Sequence, residues 1–242
     1  FGAETAYLLN IPVMVCECSL EPKEYGYKGE TALGQGFRAI MFEDGDLKRD
    51  QTYPLVISYM RAMTAFSQLD EAENPTKFIT FGSSKRGLTQ YSLASVDDRV
   101  KGFVSSSYNA GNILEYTKRV DREWGTSGAI VGSIQETLNF FNSPTGQKHR
   151  QYYDPFELSE LINVPFIMMV GTEDHLFPIG GENDWIPRVE YNKGTVDLMP
   201  NTPHTSTTKY HLSNFRAVIQ RVLDGRSTPH VIMDYVVEGN QV

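Results

Sequence analysis

The chain has 242 residues, 40% hydrophobic and 21% charged, with a formal net charge of −8. That length suits one α/β domain with a sizeable core, and the composition is that of a folded chain rather than a disordered one. The acidic balance argues against a nucleic-acid or anionic-membrane partner, and no apolar run approaches the roughly 20 residues needed to span a bilayer.

Phe1-Gly2-Ala3-Glu4 carries no basic start, no apolar h-region and no initiator methionine, so the chain reads as a fragment or a processed product. Ala3–Asn10 reads as a helix and Pro12–Glu17 as a buried strand. Cys16 and Cys18 alternate with Val15 and Glu17, which points both thiols to one face. One intervening residue makes a poor disulfide, and no Cys or His stands at zinc spacing, so reduced thiols in the core or on a pocket floor are expected. A loop rich in Gly, Glu and Tyr follows to about Gly36. Leu55, Val56, Tyr59, Met60, Met63 and Phe66 recur at helical spacing, and Asn74-Pro75 breaks the pattern. Next come a strand over Lys77–Phe81, a helix from Arg86 to about Val96 and a strand over Val100–Ser105. The aromatic-rich segment 106–154 reads either as a helical cap inserted over a site or as an ordinary two-helix connection. Beyond it, Pro165–Val170 and Thr195–Met199 read as strands and Thr205–Leu223 as a helix. His230–Val237 reads as one more strand, inside a C-terminal extension beginning at about 226. Strands separated by helices imply a mostly parallel sheet with right-handed crossovers and ligands at the carboxyl ends of the strands.

The junction Gly82-Ser83-Ser84-Lys85-Arg86-Gly87 lies between one such strand and its helix. A serine there is lifted off the strand end, and the helix N-terminus turns its N–H groups and positive dipole toward developing charge. This is the context of the nucleophile elbow of an α/β-hydrolase. Counting Gly-x-Ser from Gly82 selects Ser84, although Arg86 stands where the second glycine is usual. The backbone N–H of Lys85 would hold the oxyanion, with a second donor expected from Phe1, Gly2 or Ala3. The expected base is His204, in the turn Pro200-Asn201-Thr202-Pro203-His204 after a strand end. His149 is expected to be solvated in a polar loop, and His211 and His230 to be structural. The orienting acid is expected in Gly171-Thr172-Glu173-Asp174, as Asp174, with Glu173 and Asp184 as competitors. Ser84, Asp174 and His204 follow the Ser…Asp…His chain order of this fold. Lys85 and Arg86 are expected either to face an anionic substrate group or to form surface ion pairs with Asp97 or Asp98.

Gly-Ser-Ser-Lys-Arg-Gly, Asp98-Arg99-Val100-Lys101-Gly102, Asp154-Pro155, Gly171-Thr172-Glu173-Asp174-His175 and Pro200-Asn201-Thr202-Pro203-His204 together resemble the PhoPQ-activated pathogenicity-related proteins. The resemblance runs from the Val13 strand through His204, and the family shows the same basic elbow. It implies that Ser84, Asp174 and His204 take the triad positions and that Trp185 matches a tryptophan placed after the acid loop. Leu88 departs from a frequent tryptophan of the family. The family's strands before its first helix and most of its C-terminal extension have no counterpart here. Family members include exported bacterial proteins linked to virulence or antimicrobial-peptide resistance and a secreted eukaryotic repressor of proliferation. The resemblance therefore implies a secreted or periplasmic setting.

The expectation is a single α/β-hydrolase domain over 1–242, acting as a serine hydrolase on an ester or peptide substrate, with no metal or organic cofactor. Glucuronoyl esterases also follow their serine with a basic residue, so a carboxylate-bearing ester is one candidate. Arg86, Tyr108, Trp124 and Trp185 are the expected substrate contacts. The rival reading is a secreted signalling or binding protein that keeps the fold without the chemistry. A third is a lectin-like pocket lined by the aromatic 106–154 region.

Overall fold

The computed structural model describes residues 2–16, 32–189, 193–204 and 208–225. Among these residues, four parallel strands form one sheet in the order β1 (Phe78–Ser83), β2 (Val100–Ser106), β3 (Phe166–Gly171) and β4 (Gly194–Met199). β3 is buried at every position, as expected of an apolar run covered on both faces. Alternation along it divides the core. Phe166, Met168 and Val170 join Phe103, Leu88 and Tyr91 on one face. Ile167 and Met169 join Val104, Phe215 and Val218 on the other. The pairing of Phe103 with Phe166 stacks their rings at 4.9 Å.

The helices follow their apolar stripes. α1 (Gly2–Leu9) begins the chain, and α2 (Ala32–Phe42) and α3 (Thr52–Phe66) precede the sheet. α4 (Lys85–Val96) crosses from β1 to β2. α3 lies against α4 through Met63, Phe78, Leu93 and Val100. Between β2 and β3 the chain makes a helical excursion through α5 (Ile113–Trp124), α6 (Ile134–Asn142), α7 (Pro144–Tyr153) and α8 (Pro155–Leu158). α9 (Thr208–Asp224) covers the opposite face of the sheet. Ser133 and Glu136 close a capping box at the start of α6, and Ser143-Pro144 caps and opens α7.

Three expectations are corrected. Residues 12–16 form no strand, because no ladder to a neighbouring strand reaches them among the described residues, and Val15 is 69% exposed. Glu17, Cys18, the strand read at 230–237 and the extension from 226 lie outside the described residues. The loop read as far as Gly36 is helical from Ala32. Phe37, Ile40 and Met41 supply its apolar stripe against the core, a period that Gly34 and Gly36 obscure. His149 is not solvated: α7 carries it to full burial among Phe37, Phe140, Phe141 and Tyr153.

Phe166 sits at the centre of the sheet with no exposed surface. Phe166→Ala is expected to cost about 3–5 kcal/mol of stability in chemical denaturation, through lost burial and the cavity left behind. Leu198→Ala, at a half-exposed position, should stay within about 0.5 kcal/mol.

Candidate active site

The turn after β1 holds Ser84 at φ 58° and ψ −127°. Non-glycine residues rarely occupy such a conformation, and about 1–3 kcal/mol is the usual cost of holding one there. Two glycines make room for the turn. A Cβ on Gly82 would run into the Arg86 carbonyl, and one on Gly87 would come within 2.8 Å of the Ser106 carbonyl and 2.9 Å of Ser105 Oγ. So the second glycine serves at 87, where α4 passes too near β2 to leave room for a Cβ. The Ser84 N–H donates to the Ser106 carbonyl at 2.8 Å, and the Ser84 carbonyl accepts from Gly87 and Leu88 to start α4.

Asp174 follows β3 and His204 follows β4. The His204 Nδ1 lies 2.9 and 3.1 Å from the two Asp174 oxygens, and its Nε2 lies 2.9 Å from Ser84 Oγ. An ionised carboxylate only accepts, so Nδ1 donates to it, and Nε2 is left to accept from the serine hydroxyl. Asp174 is itself held: its Oδ1 accepts from the Leu176 and Phe177 amides at 2.8 and 3.0 Å. Its side chain is 1% exposed, against 17% for His204.

Ser84 opens on a cavity of about 440 Å³. Its wall is mostly apolar and aromatic. α2 gives Phe37, the turn after β2 gives Tyr108, and the excursion gives Ile113, Tyr116, Phe141 and Tyr153. Lys85 and Asp50 are its charged members among the described residues.

The model of the PhoPQ-activated pathogenicity-related protein family matches residues 8–241. The chain belongs to this family. No curated protein matches it. Among solved structures, this family member is similar to acetyl xylan esterase 1 of Thermoanaerobacterium sp. JW/SL YS485, with 15% identity and a TM-score of 0.52 over 82% of this chain and 61% of that one. A puromycin-hydrolyzing peptidase of Mycobacterium tuberculosis is 14% identical with a TM-score of 0.53, over 70% of this chain and 25% of that one. The acylaminoacyl peptidase of Pyrococcus horikoshii is 11% identical with a TM-score of 0.55, over 73% and 29%. The chain thus spans less than two thirds of each. At these identities the likeness bears on the fold, which is that of the α/β-hydrolases.

Within this PhoPQ-related chain the other candidate residues separate. Tyr108 lines the cavity. Trp185 does not: it is 1% exposed in the core, stacked 6.2 Å from Phe166, and its Nε1 donates to the Asn109 carbonyl. Trp124 ends α5 half-exposed and away from the cavity wall. Both tryptophans were expected at the substrate. The large apolar ring of one fills the core, and the other falls on the outer side of its helix. Arg86 lies in the first turn of α4, outside the cavity wall, and its carbonyl accepts from Gln90 Nε2. Lys85 does line the cavity; burial and the neighbouring Arg86 charge hold its pKa below the usual lysine value. Asp97, an alternative partner for either residue, is taken by Arg99 at 2.6 Å. Of the competing acids, Asp184 pairs with Arg119 at 2.6 Å and Glu173 is exposed.

Two buried carboxylates stand out: Asp50 in the cavity wall, which the sequence did not single out, and Asp154, which it quoted only within Asp154-Pro155. Asp50 lines the cavity and accepts from His149 Nε2 and from the Thr52 amide. Burial pushes its carboxyl up, but the His149 ring and the Thr52 N–H outweigh that, and it stays ionised. Asp154 is pushed up to about 6 by burial, against three amide donors. These are the N–H groups of Asn112, Ile113 and Phe156, so one carboxylate caps both α5 and α8.

His211 packs edge-on to Phe81 at 4.7 Å, behind the strand that carries Ser84. Burial lowers its pKa from 6.5 to about 4. The folded chain therefore binds this proton less tightly than the unfolded chain, and stability present above the unfolded value is lost as pH falls toward the folded one. His211→Gln should flatten the acid limb of a stability profile taken by denaturant titration between about pH 7 and pH 4. The strain at Ser84 has its own signature. Ser84→Gly is expected to be more stable than Ser84→Ala by about 1 kcal/mol, the reverse of the order at ordinary positions, as thermal unfolding of the two variants would read.

Proposed function

We propose that this chain is a serine hydrolase that cleaves an ester or amide bond. The observation that carries the reading is the hydrogen-bonded line from Asp174 through His204 to Ser84, ending at an apolar cavity. Ser84 Oγ attacks the substrate carbonyl while His204 Nε2 takes its proton. The oxyanion forms against the backbone N–H of Lys85 at the start of α4, where the helix dipole favours negative charge. Collapse of the tetrahedral intermediate passes the proton from His204 to the leaving group. Water, deprotonated by His204, then releases the acyl group from Ser84. Asp174 holds the imidazole in one tautomer and stabilises its charged form. The reading needs no metal or organic cofactor. The esterase and peptidases with this fold bear on the two bond types in its range.

The test is intact-mass analysis after exposure to a fluorophosphonate probe. A single adduct is expected on the wild-type chain and none on Ser84→Ala. An unlabelled but folded wild-type chain would sink the reading and leave a binding protein that keeps the fold. With an ester that turns over, Asp174→Asn should lower kcat by about 10⁴-fold, because the imidazole loses its preferred tautomer.

A further inference from the structure

Two tyrosine hydroxyls meet in the cavity wall at Ser84, and hydrolysis uses neither. Tyr153, the last residue of α7, is half-buried and lines the cavity together with Tyr108 from the turn after β2. The Tyr153 ring is clamped. His149 stacks on it at 4.5 Å, and Phe37 and Phe141 lie along it at 6.3 and 6.4 Å. Tyr108 is 2% exposed, with its ring against Phe177 at 4.8 Å. Its hydroxyl is buried and meets no partner at full hydrogen-bond geometry among the described residues. The Tyr153 hydroxyl is its close neighbour. Burial pushes both phenols up, and their contact adds to the shift of Tyr108 while offsetting that of Tyr153. Tyr108 is therefore the donor of the pair and the Tyr153 oxygen the acceptor. A phenol has one O–H. The Tyr153 O–H is thus directed away from Tyr108, and it reaches no acceptor among the described residues.

Asp50 does not take that proton. Its carboxylate is met by His149 Nε2 and by the amide and hydroxyl of Thr52. Lys85 enters the wall beside Ser84, in the first turn of α4. Elsewhere the wall is largely aromatic and aliphatic, with Leu88, Ile113, Ile130 and Leu176 among its members. An uncharged chain gains by leaving water for such a wall, whereas an oxygen set in that chain loses its hydration unless a donor meets it. A volume of about 440 Å³ lies in the range of small-molecule sites, about 300–1,000 Å³. We propose that the cavity takes an uncharged acyl group carrying a second oxygen acceptor, a keto or ether oxygen, and that Tyr153 selects it by donating its O–H, with Tyr108 as the positioning residue behind it. That the group is the acyl part of a substrate held at Ser84 rests on the hydrolase reading, while recognition of the oxygen stands without it.

The test moves the oxygen along one chain. The p-nitrophenyl esters of 4-, 5-, 6- and 7-oxooctanoate are compared with p-nitrophenyl octanoate. Relative to octanoate, kcat/KM should peak at one oxo position. Tyr153→Phe should lower that peak ratio about fivefold, a typical loss for one neutral hydrogen bond, and Tyr108→Phe about twofold. A merely structural role would lower octanoate and its oxo analogues alike and leave the ratio unmoved. A flat profile in the wild type, or a peak that survives Tyr153→Phe, overturns the proposal. Faster turnover of the p-nitrophenyl half-ester of suberic acid than of the octanoate would assign the site to a carboxylate at Lys85 and overturn it too. If Tyr153→Phe does not fold, the wild-type profile alone decides. Acetophenone and ethylbenzene, titrated by ligand-observed NMR into the wild type and Tyr153→Phe, give a readout without turnover. Acetophenone should weaken about fivefold in the variant and ethylbenzene should not change. That result without fluorophosphonate labelling would sink the hydrolase reading and keep the oxygen site. Labelling with a flat oxo profile would do the reverse.

Discussion

Everything at this site depends on how closely α4 crosses the sheet. The Ser84 N–H is tied to the Ser106 carbonyl on β2, and the Ser84 carbonyl starts the helix. The backbone at 84 therefore has to turn from strand to helix within one residue, at positive φ. That conformation is unfavourable by itself and persists only where its surroundings over-determine it. Here the surroundings are a β1–β2 ladder running to Ser83↔Ser106 and a helix packed so closely that residues 82 and 87 have no space for a Cβ. A looser helix would let Ser84 relax, and its Oγ would no longer be held toward His204.

Asp174 and His204 are fixed to one another by a separate set of bonds. Thr172 N–H donates to Met199, Glu173 N–H to Thr202, and Asn201 N–H to Thr172 Oγ1. Gly171 passes so near the Thr202 carbonyl that a Cβ could not fit. The two loops thus form one unit at the carboxyl ends of the paired strands β3 and β4, with Asp174 pinned by the amides of its own turn. Two rigid units, the elbow and this double loop, meet at one contact between Ser84 Oγ and His204 Nε2. In the proposed hydrolysis, preorganisation of this kind would remove reorganisation from the reacting geometry.

How legible this was follows from the length scale of each feature. β1 and β3 could be read because each is a short apolar run with Pro shortly before it and Gly at or near its end, and such runs signal buried parallel strands. Ser84, Asp174 and His204 could be nominated because each lies just past a strand end, where local chain order already says which loops face one another. α2 was hidden because its two glycines interrupt the stripe formed by Phe37, Ile40 and Met41. The pairing of Asp50 with His149 was invisible because it joins residues far apart in the chain with no motif at either end. Trp185 was misassigned for a related reason. A tryptophan near an acid loop suggests a substrate platform, but only the packing of Tyr91 and Phe166 around it reveals that its area is spent on the core.

The helical excursion between β2 and β3 links that core to the site's dielectric. Asp154 alone caps two of its helices, and Asn109 ties its entrance to the segment after Asp174, donating to the Pro178 carbonyl at 2.9 Å and to Glu182 at 2.8 Å. The excursion is thereby anchored to the same loop that carries Asp174, so the aromatic wall and the Asp174–His204 pair keep one spacing. In the hydrolase reading proposed above, a wall of rings beside Ser84 would lower the local dielectric and strengthen the fixed dipoles that face the oxyanion. The same low dielectric makes unmatched charge expensive. That explains why the excursion delivers His149 and the loop before α3 delivers Asp50 as a pair, each desolvated by the other's surroundings and joined by a hydrogen bond. Packing that dries the serine and packing that buries this carboxylate are one and the same, so a change in either should be felt by both.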